Sequence, residues 1–255
     1  MKKLIGIMIL LCALLSSGQV LASAKNNTNT TSECFESLSR AIFSFNQGLD
    51  KVAFKPIAKV YRIIPSPLRQ GTGNVITNLS HVMTIPNNVL QGDFKQAGVT
   101  TARFIINTTL GIFGIFDPAS AMGLNYQKED YGQTLATWGL PSGCYFVAPI
   151  FGPKTVRDAF GSFGVMVGGD PWYNVTTGND TKHFKDSDYY YSLGTKGVDF
   201  RAKNIESFDN LEKNSMDLYA SLKSLYLQNR KNQINNSTTI TETQDDSDWD
   251  DIDTE

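Results

Sequence analysis

The thirty residues from Glu129 to Asp158, EDYGQTLATWGLPSGCYFVAPIFGPKTVRD, constrain the fold of this chain more than any other segment. Pro141, Pro149 and Pro153 fix φ and remove backbone donors, which excludes a long helix or a central strand, while Gly132, Gly139, Gly143 and Gly152 allow sharp turns between them. Trp138, Tyr145, Phe146 and Phe151 supply enough apolar surface to line a wall. Catalytic side chains are scarce. The run reads either as a shaped surface or as an ordinary buried hairpin or loop, and a new helix is expected at its end, near Arg157 and Asp158.

Elsewhere the helical period dominates. Phe35, Leu38, Ile42, Phe45, Leu49 and Val52 recur every three or four residues between Cys34 and Ala53 and share one face, which Phe43 broadens. Pro56 is expected to close this helix, and Pro65 with Pro67 to make a rigid break. Six such side chains, at roughly 1.5 to 3 kcal/mol each, are worth on the order of 10 kcal/mol once withdrawn from water, whether into protein core or into lipid. A second helix is expected over Asp93 to Thr109, with Phe94, Ala97, Gly98, Thr101, Ala102 and Ile105 on one face and Asp93 near its start. Leu110 to Phe116, LGIFGIF, is apolar but far too short to cross a bilayer; it reads as a tight hairpin against acyl chains or as a buried turn. Further stripes lie at Val198, Ala202, Ile205 and Phe208 and at Leu218, Leu222 and Leu225, the last with Arg230 and Lys231 near a helix C-terminus. Period-two alternation is scarce, so the expected class is all-α in one domain.

Lys2 and Lys3, the apolar core from Leu4 to Leu15 and the small residues Ala22, Ser23 and Ala24 form a cleavable secretory signal over residues 1–24. Residues 25–33 are expected to be a flexible start, 34–232 the helical domain, and 233–255 a disordered acidic tail. The formal net charge is −2. Without the leader and the tail the body is mildly basic, which suits anionic headgroups and falls far short of a nucleic-acid footprint. Cys34 and Cys144 would reside where disulfides form, yet they stand 110 positions apart and nothing local says whether they pair.

No catalytic constellation emerges. His81 and His183 have no metal-ligand spacing, the cysteines form no CxxC pair, and the GxSxG, Walker and GxGxxG signatures are absent. Gly164 to Pro171, GVMVGGDP, lacks the Lys and Ser or Thr of a phosphate cradle. Asp117 and Asp170 precede prolines and read as turn formers, and adjacent Glu129 and Asp130 make no dyad by spacing. The expectation is a protein that is not an enzyme and takes no cofactor or metal.

Several blocks in order resemble one known family. The Glu129–Asp158 run, FSFNQGLDKVAFKPIAKVYR from Phe43, PLRQGTGNVITNL from Pro67, the stretch from Asn87 to Leu124 and DLYASLKSLYLQNR from Asp217 are similar to the MlaA (VacJ) family of outer-membrane phospholipid-retrieval proteins. The resemblance spans roughly Ser39 to Arg230. It implies a single-domain ring of amphipathic helices, embedded in the inner leaflet of the outer membrane around an amphipathic channel. Misplaced outer-leaflet phospholipid would enter that channel and pass to a periplasmic carrier, with an outer-membrane porin as a further partner. Carried over residue by residue, Phe45, Asn46, Asp50, Gly132, Trp138, Tyr145, Phe151, Arg157 and Asp158 would line or shape the channel. Phe35, Leu38, Ile42, Phe43, Leu49, Ile112, Phe113 and Phe116 would face the membrane. Two features depart from the family pattern. Cys12 lies inside the apolar core of the leader, whereas a lipidated Cys follows a small residue at its end, and Cys144 stands where the family has Pro.

Overall fold

The computed structural model describes residues 31–165 and 186–236. The leader, most of the 25–33 stretch, the acidic tail beyond 236, His183 and most of the Gly164–Pro171 turn lie outside the described residues. Helices carry most of the remainder, as the periodicity requires. They are α1 (Glu36–Leu49), α2 (Lys55–Tyr61), α3 (Ser66–Leu90), α4 (Phe94–Thr109), α5 (Pro118–Ala121), α6 (Tyr131–Thr137), α7 (Val156–Gly164), α8 (Asp186–Lys203), α9 (Ile205–Asn214) and α10 (Leu218–Ile234).

Pro56 does not close the first helix. The chain passes from α1 into a π-helical turn at Asp50–Phe54 and on into α2. The wider turn resets the hydrogen-bond ladder so that Pro56 falls in the first turn of α2, where its missing N–H is not needed. Nor do Pro65 and Pro67 only break the chain: they open α3, the longest helix, with Pro67 in its first turn. The helix at 93–109 forms as expected, with Asp93 accepting from the Gln96 N–H at 2.9 Å.

Among the described residues, one element departs from an all-helical chain. Tyr145–Ala148 (β1) pairs antiparallel with Gly152–Thr155 (β2), Tyr145 opposite Thr155 and Ala148 opposite Gly152. Pro153 is tolerated because it lies on β2, an edge strand paired only with β1 among the described residues. Residues 32–34 run beside β1, with the Cys34 N–H donating to Tyr145 O at 3.0 Å and the Tyr145 N–H to Ser32 O at 2.8 Å. The Cys34–Cys144 disulfide locks this arrangement, with Cα atoms 5.4 Å apart.

Among the described residues, buried apolar side chains form two small clusters. Tyr145, Val147 and Tyr219 are buried beneath Ile42, Phe43, Tyr226 and Leu227, and Ala58, Ala202 and Ile205 are buried beneath Tyr61. Between α3 and α4 the interior is polar. Arg103 is 1% exposed; its Nε donates to His81 Nε2 at 3.3 Å and its Nη2 pairs with Asp117 at 2.8 Å, while another of its nitrogens donates to Leu124 O. Thr100 donates to Asn88 at 3.2 Å, and Asn107 donates to Asp117 at 2.8 Å while accepting from the Ala119 N–H. Burial holds the His81 imidazole below its usual range, and Arg103 beside it adds to the effect, so a neutral ring accepts from Arg103.

Candidate functional site

The side chains that the helical period groups together mostly face out. Phe35 is 78% exposed and Val52 82%, with Leu38 and Phe45 also exposed, whereas Ile42, Phe43 and Leu49 are half-buried and the first two pack on the Tyr145 cluster. Leu110, Ile112, Phe113, Ile115 and Phe116 are all exposed, Phe113 at 77%. The backbone works to present them. Ile112 and Phe113 hold φ of 52° and 57°, a left-handed region costly for branched and bulky residues. Gly114 tucks against Asn78 so closely that a Cβ would lie 2.6 Å from the Asn78 Cβ. The LGIFGIF segment is therefore a strained turn with its large apolar side chains turned outward, not a buried one. An apolar exterior around a hydrogen-bonded interior reverses the usual distribution of a water-soluble domain.

The residues expected around a channel separate into four groups. Asn46 and Asp50 are ties between elements. The Asn46 amide donates to Ala148 O at 3.0 Å and accepts from the Ile150 N–H at 2.8 Å, which clamps the β1–β2 turn where Ile150 holds a φ of 67°. Asp50 forms a two-point pair with Arg201 of α8, at 2.7 and 2.8 Å. Phe45, Trp138 and Phe151 are exposed, and the Trp138 indole donates to Leu90 O at 2.9 Å. Tyr145 differs from its expected place on a wall. It is 1% exposed inside the aromatic cluster, because the inward register of β1 points Tyr145 and Val147 at α10.

Gly132, Arg157 and Asp158 meet at a polar junction of α6, α7 and α10. α6 lies so close to α10 that a Cβ on Gly132 would be 2.4 Å from Arg230 Nη2, and so close to α7 that one on Gly161 would be 2.5 Å from Gly132 N. Asp130 caps α6 by accepting from the Gln133 N–H, and Thr155 caps α7 by accepting from the Asp158 N–H. Arg230, from the last turns of α10, joins them, pairing with Asp130 at 2.7 and 2.8 Å and with Asp158 at 2.9 Å. Tyr226 donates to Asp158 at 2.6 Å and accepts from the Thr155 N–H. Burial pushes the Asp130 and Asp158 carboxyls up, but hydrogen bonds and charge from Arg230 outweigh it and hold both below the usual carboxylate range. Glu129, buried nearby and accepting from Gln91 and Gln133, has no such cation in contact, and burial raises it to about 7.

Two cavities flank the hairpin end of α7. One, of about 250 Å³, is lined by Lys128, Asp130, Lys154, Asp158, Tyr226 and Arg230 among others. The other, of about 280 Å³, is almost wholly apolar and lies between the start of α1 and β1, against Phe35, Leu38, Ile42, Phe146 and Val156. Lys128, Lys154, Tyr226 and Arg230 were not among the expected site residues. Arg230 reads in sequence as a charge placed for the C-terminus of its own helix, and nothing local ties it to carboxylates 72 and 100 residues away.

Residues 31–233 match the family model for the MlaA lipoprotein. A similar curated protein is the intermembrane phospholipid transport system lipoprotein MlaA of Haemophilus influenzae, 31% identical over 89% of this chain and 90% of that protein. The protein of the same name from Escherichia coli K12 is 30% identical over 81% and 80%. A solved structure described as the structural basis for maintenance of bacterial outer membrane lipid asymmetry superposes with a TM-score of 0.69 at 27% identity, covering 80% of this chain and 99% of that one.

Proposed function

Because this chain belongs to the MlaA lipoprotein family, we propose that it is the component of an intermembrane phospholipid transport system that keeps the outer membrane asymmetric. It removes misplaced phospholipid from the outer leaflet and passes it, through a channel among its helices, to a periplasmic carrier. The observation that carries this reading is the reversed distribution of polarity. Moving a phospholipid exposes its acyl chains unless protein covers them, at about 0.8 kcal/mol per methylene, so a conduit must offer lipid-compatible outer faces and a polar path for the headgroup. Exposed Phe35, Leu38, Phe45 and Phe113 supply the former, and the buried polar side chains of α3, α4, α6 and α7 the latter.

No described helix is long and apolar enough to cross a membrane. The exposed faces of α1 and the LGIFGIF turn would therefore seat the protein in one leaflet as a ring of amphipathic helices. The same apolar belt suits an outer-membrane porin as a partner. The role is passage, without covalent chemistry.

The test is complementation. In a Gram-negative strain lacking its own MlaA, expression of this chain is expected to lower outer-leaflet phospholipid to the level of the parent strain. Unchanged outer-leaflet phospholipid, with the protein present in the outer membrane, would sink the transport reading and leave a porin-bound module. Co-purification with a porin tests that partner separately.

A further inference from the structure

We infer that the cavity between α6, α7 and α10 binds the phosphate of a phospholipid headgroup through the ammonium groups of Lys154 and Lys128. The inference rests on the lipid-transport reading above and adds to it a headgroup site. Its basis is an imbalance of partners. Both carboxylates lining the cavity are already engaged by Arg230: Asp130 at two points and Asp158 at one, with Tyr226 holding the second oxygen of Asp158. The two lysines that line the same cavity are not matched by acids. Lys154 Nζ, half-buried on β2, donates to the neutral hydroxyl of Ser162 at 3.0 Å, and Lys128 makes no ion pair among the described residues. Arg230 adds a buried Nε–H without a hydrogen-bond partner.

A half-buried ammonium whose hydrogen-bond partner is a neutral hydroxyl is costly unless an anion joins it or it gives up its proton. Burial already holds Lys154 below the usual lysine range, although Asp158 and Asp130 pull it upward. A phosphodiester brings one negative charge and several acceptor oxygens, enough to engage both ammonium groups. The size fits a headgroup and excludes acyl chains: about 250 Å³ lies just under the roughly 300 Å³ at which pockets for drug-sized ligands begin. The cavity is polar and partly open, so the chains would stay outside it while the headgroup docks.

The full chain, purified in detergent and stripped of lipid, would be titrated with phosphatidylglycerol, diacylglycerol, glycerophosphoglycerol and inorganic phosphate. The proteins compared would be the unaltered chain, Lys154→Met, Lys128→Met with Lys154→Met, and Lys154→Arg. The expected result is phosphatidylglycerol bound more tightly than diacylglycerol, about tenfold weaker binding per lysine lost, and near-normal binding by Lys154→Arg. Tenfold corresponds to about 1.4 kcal/mol. Coincident unfolding curves for the Met and Arg variants separate lost binding from lost fold. Equal phosphatidylglycerol affinity in the unaltered chain and the double variant would overturn the site while leaving lipid transport standing. Should inorganic phosphate or glycerophosphoglycerol bind as tightly as the intact lipid and depend on both lysines, the cavity is a soluble-anion site and the headgroup assignment fails. If the unaltered chain takes up neither lipid, the transport reading itself fails.

Discussion

Where α3 meets α4, the side chains shut away from solvent are Asn78, His81, Thr84, Asn88, Thr100, Arg103 and Asn107; where the β1–β2 hairpin meets α1 and α10, they are Tyr145, Val147 and Tyr219. The first junction is made of directional bonds between groups that would each be penalised if left unpaired, so it specifies one geometry without spending an apolar side chain. The second uses edge-on aromatic rings, Phe43 and Tyr145 each against Tyr219, and adds a covalent link. Polar fastening of this kind leaves the large apolar residues free to face outward. Polar contacts fasten helices close in sequence, as α3 and α4 are, and far apart, as in Asp50–Arg201 and Asp130–Arg230, whereas the hairpin, which must reach α1 a hundred residues earlier and α10 seventy later, also receives the apolar cluster and the disulfide.

Four measurements test that contrast. The largest effect is expected from Arg103→Met, which leaves Asp117 and Leu124 O without their cation in the interior. It should cost about 3 to 5 kcal/mol in denaturant unfolding, and a loss below about 1 kcal/mol would mean that the polar network does not hold α3 to α4. Next, replacing Cys34 and Cys144 together by Ser should cost about 2 to 4 kcal/mol. Reduction of the unaltered protein should reproduce most of that loss; no change would leave the hairpin held by aromatic packing alone.

Asn46→Ala removes both hydrogen bonds to the hairpin turn and should cost about 1 to 2 kcal/mol. Faster hydrogen exchange at the Ile150 amide would locate the effect, and unchanged exchange would deny Asn46 its clamping role. The smallest effect is a slope. Glu129 is raised from 4.5 to about 7 in the folded chain. Between those values the folded state holds the extra proton, so its contribution to stability falls as pH rises through about 7 and levels off above. Glu129→Gln should flatten that part of the stability profile relative to the unaltered chain, while His81, whose lowered value acts in the opposite direction, contributes equally to both. Parallel profiles for the two proteins would refute the assignment.

The polar interior also explains what could be read in the sequence and what could not. α4 was legible from its Asp93 cap and from spacing, yet its buried face runs through Ala97, Thr100, Arg103 and Asn107, not through Phe94 and Ile105. α3, the longest helix, gave no apolar stripe because its inward positions are Gly71, Asn78, His81, Thr84 and Asn88. For α1 the period was right but carries no sign: Phe35 and Leu38 repeat identically whether they face a core or a bilayer. The hairpin stayed one reading among others because four residues per strand are too few to show alternation, and the pairing of Cys34 with Cys144 hid because it depends on where six intervening helices return the chain. Among the site residues, family resemblance pointed to Asp158 and Gly132, but Lys154, Tyr226 and Arg230 come together only through tertiary contacts.

The disulfide also has a topological consequence. It turns the interval from Cys34 to Cys144, with α1 through α6 inside it, into a covalent lasso. A protease that cuts once anywhere within that interval releases nothing: the two pieces migrate as one species until a thiol reductant is added. Such a link lets the chain take a single nick in its exposed turns, the LGIFGIF turn included, while its N-terminal helix stays attached to the hairpin.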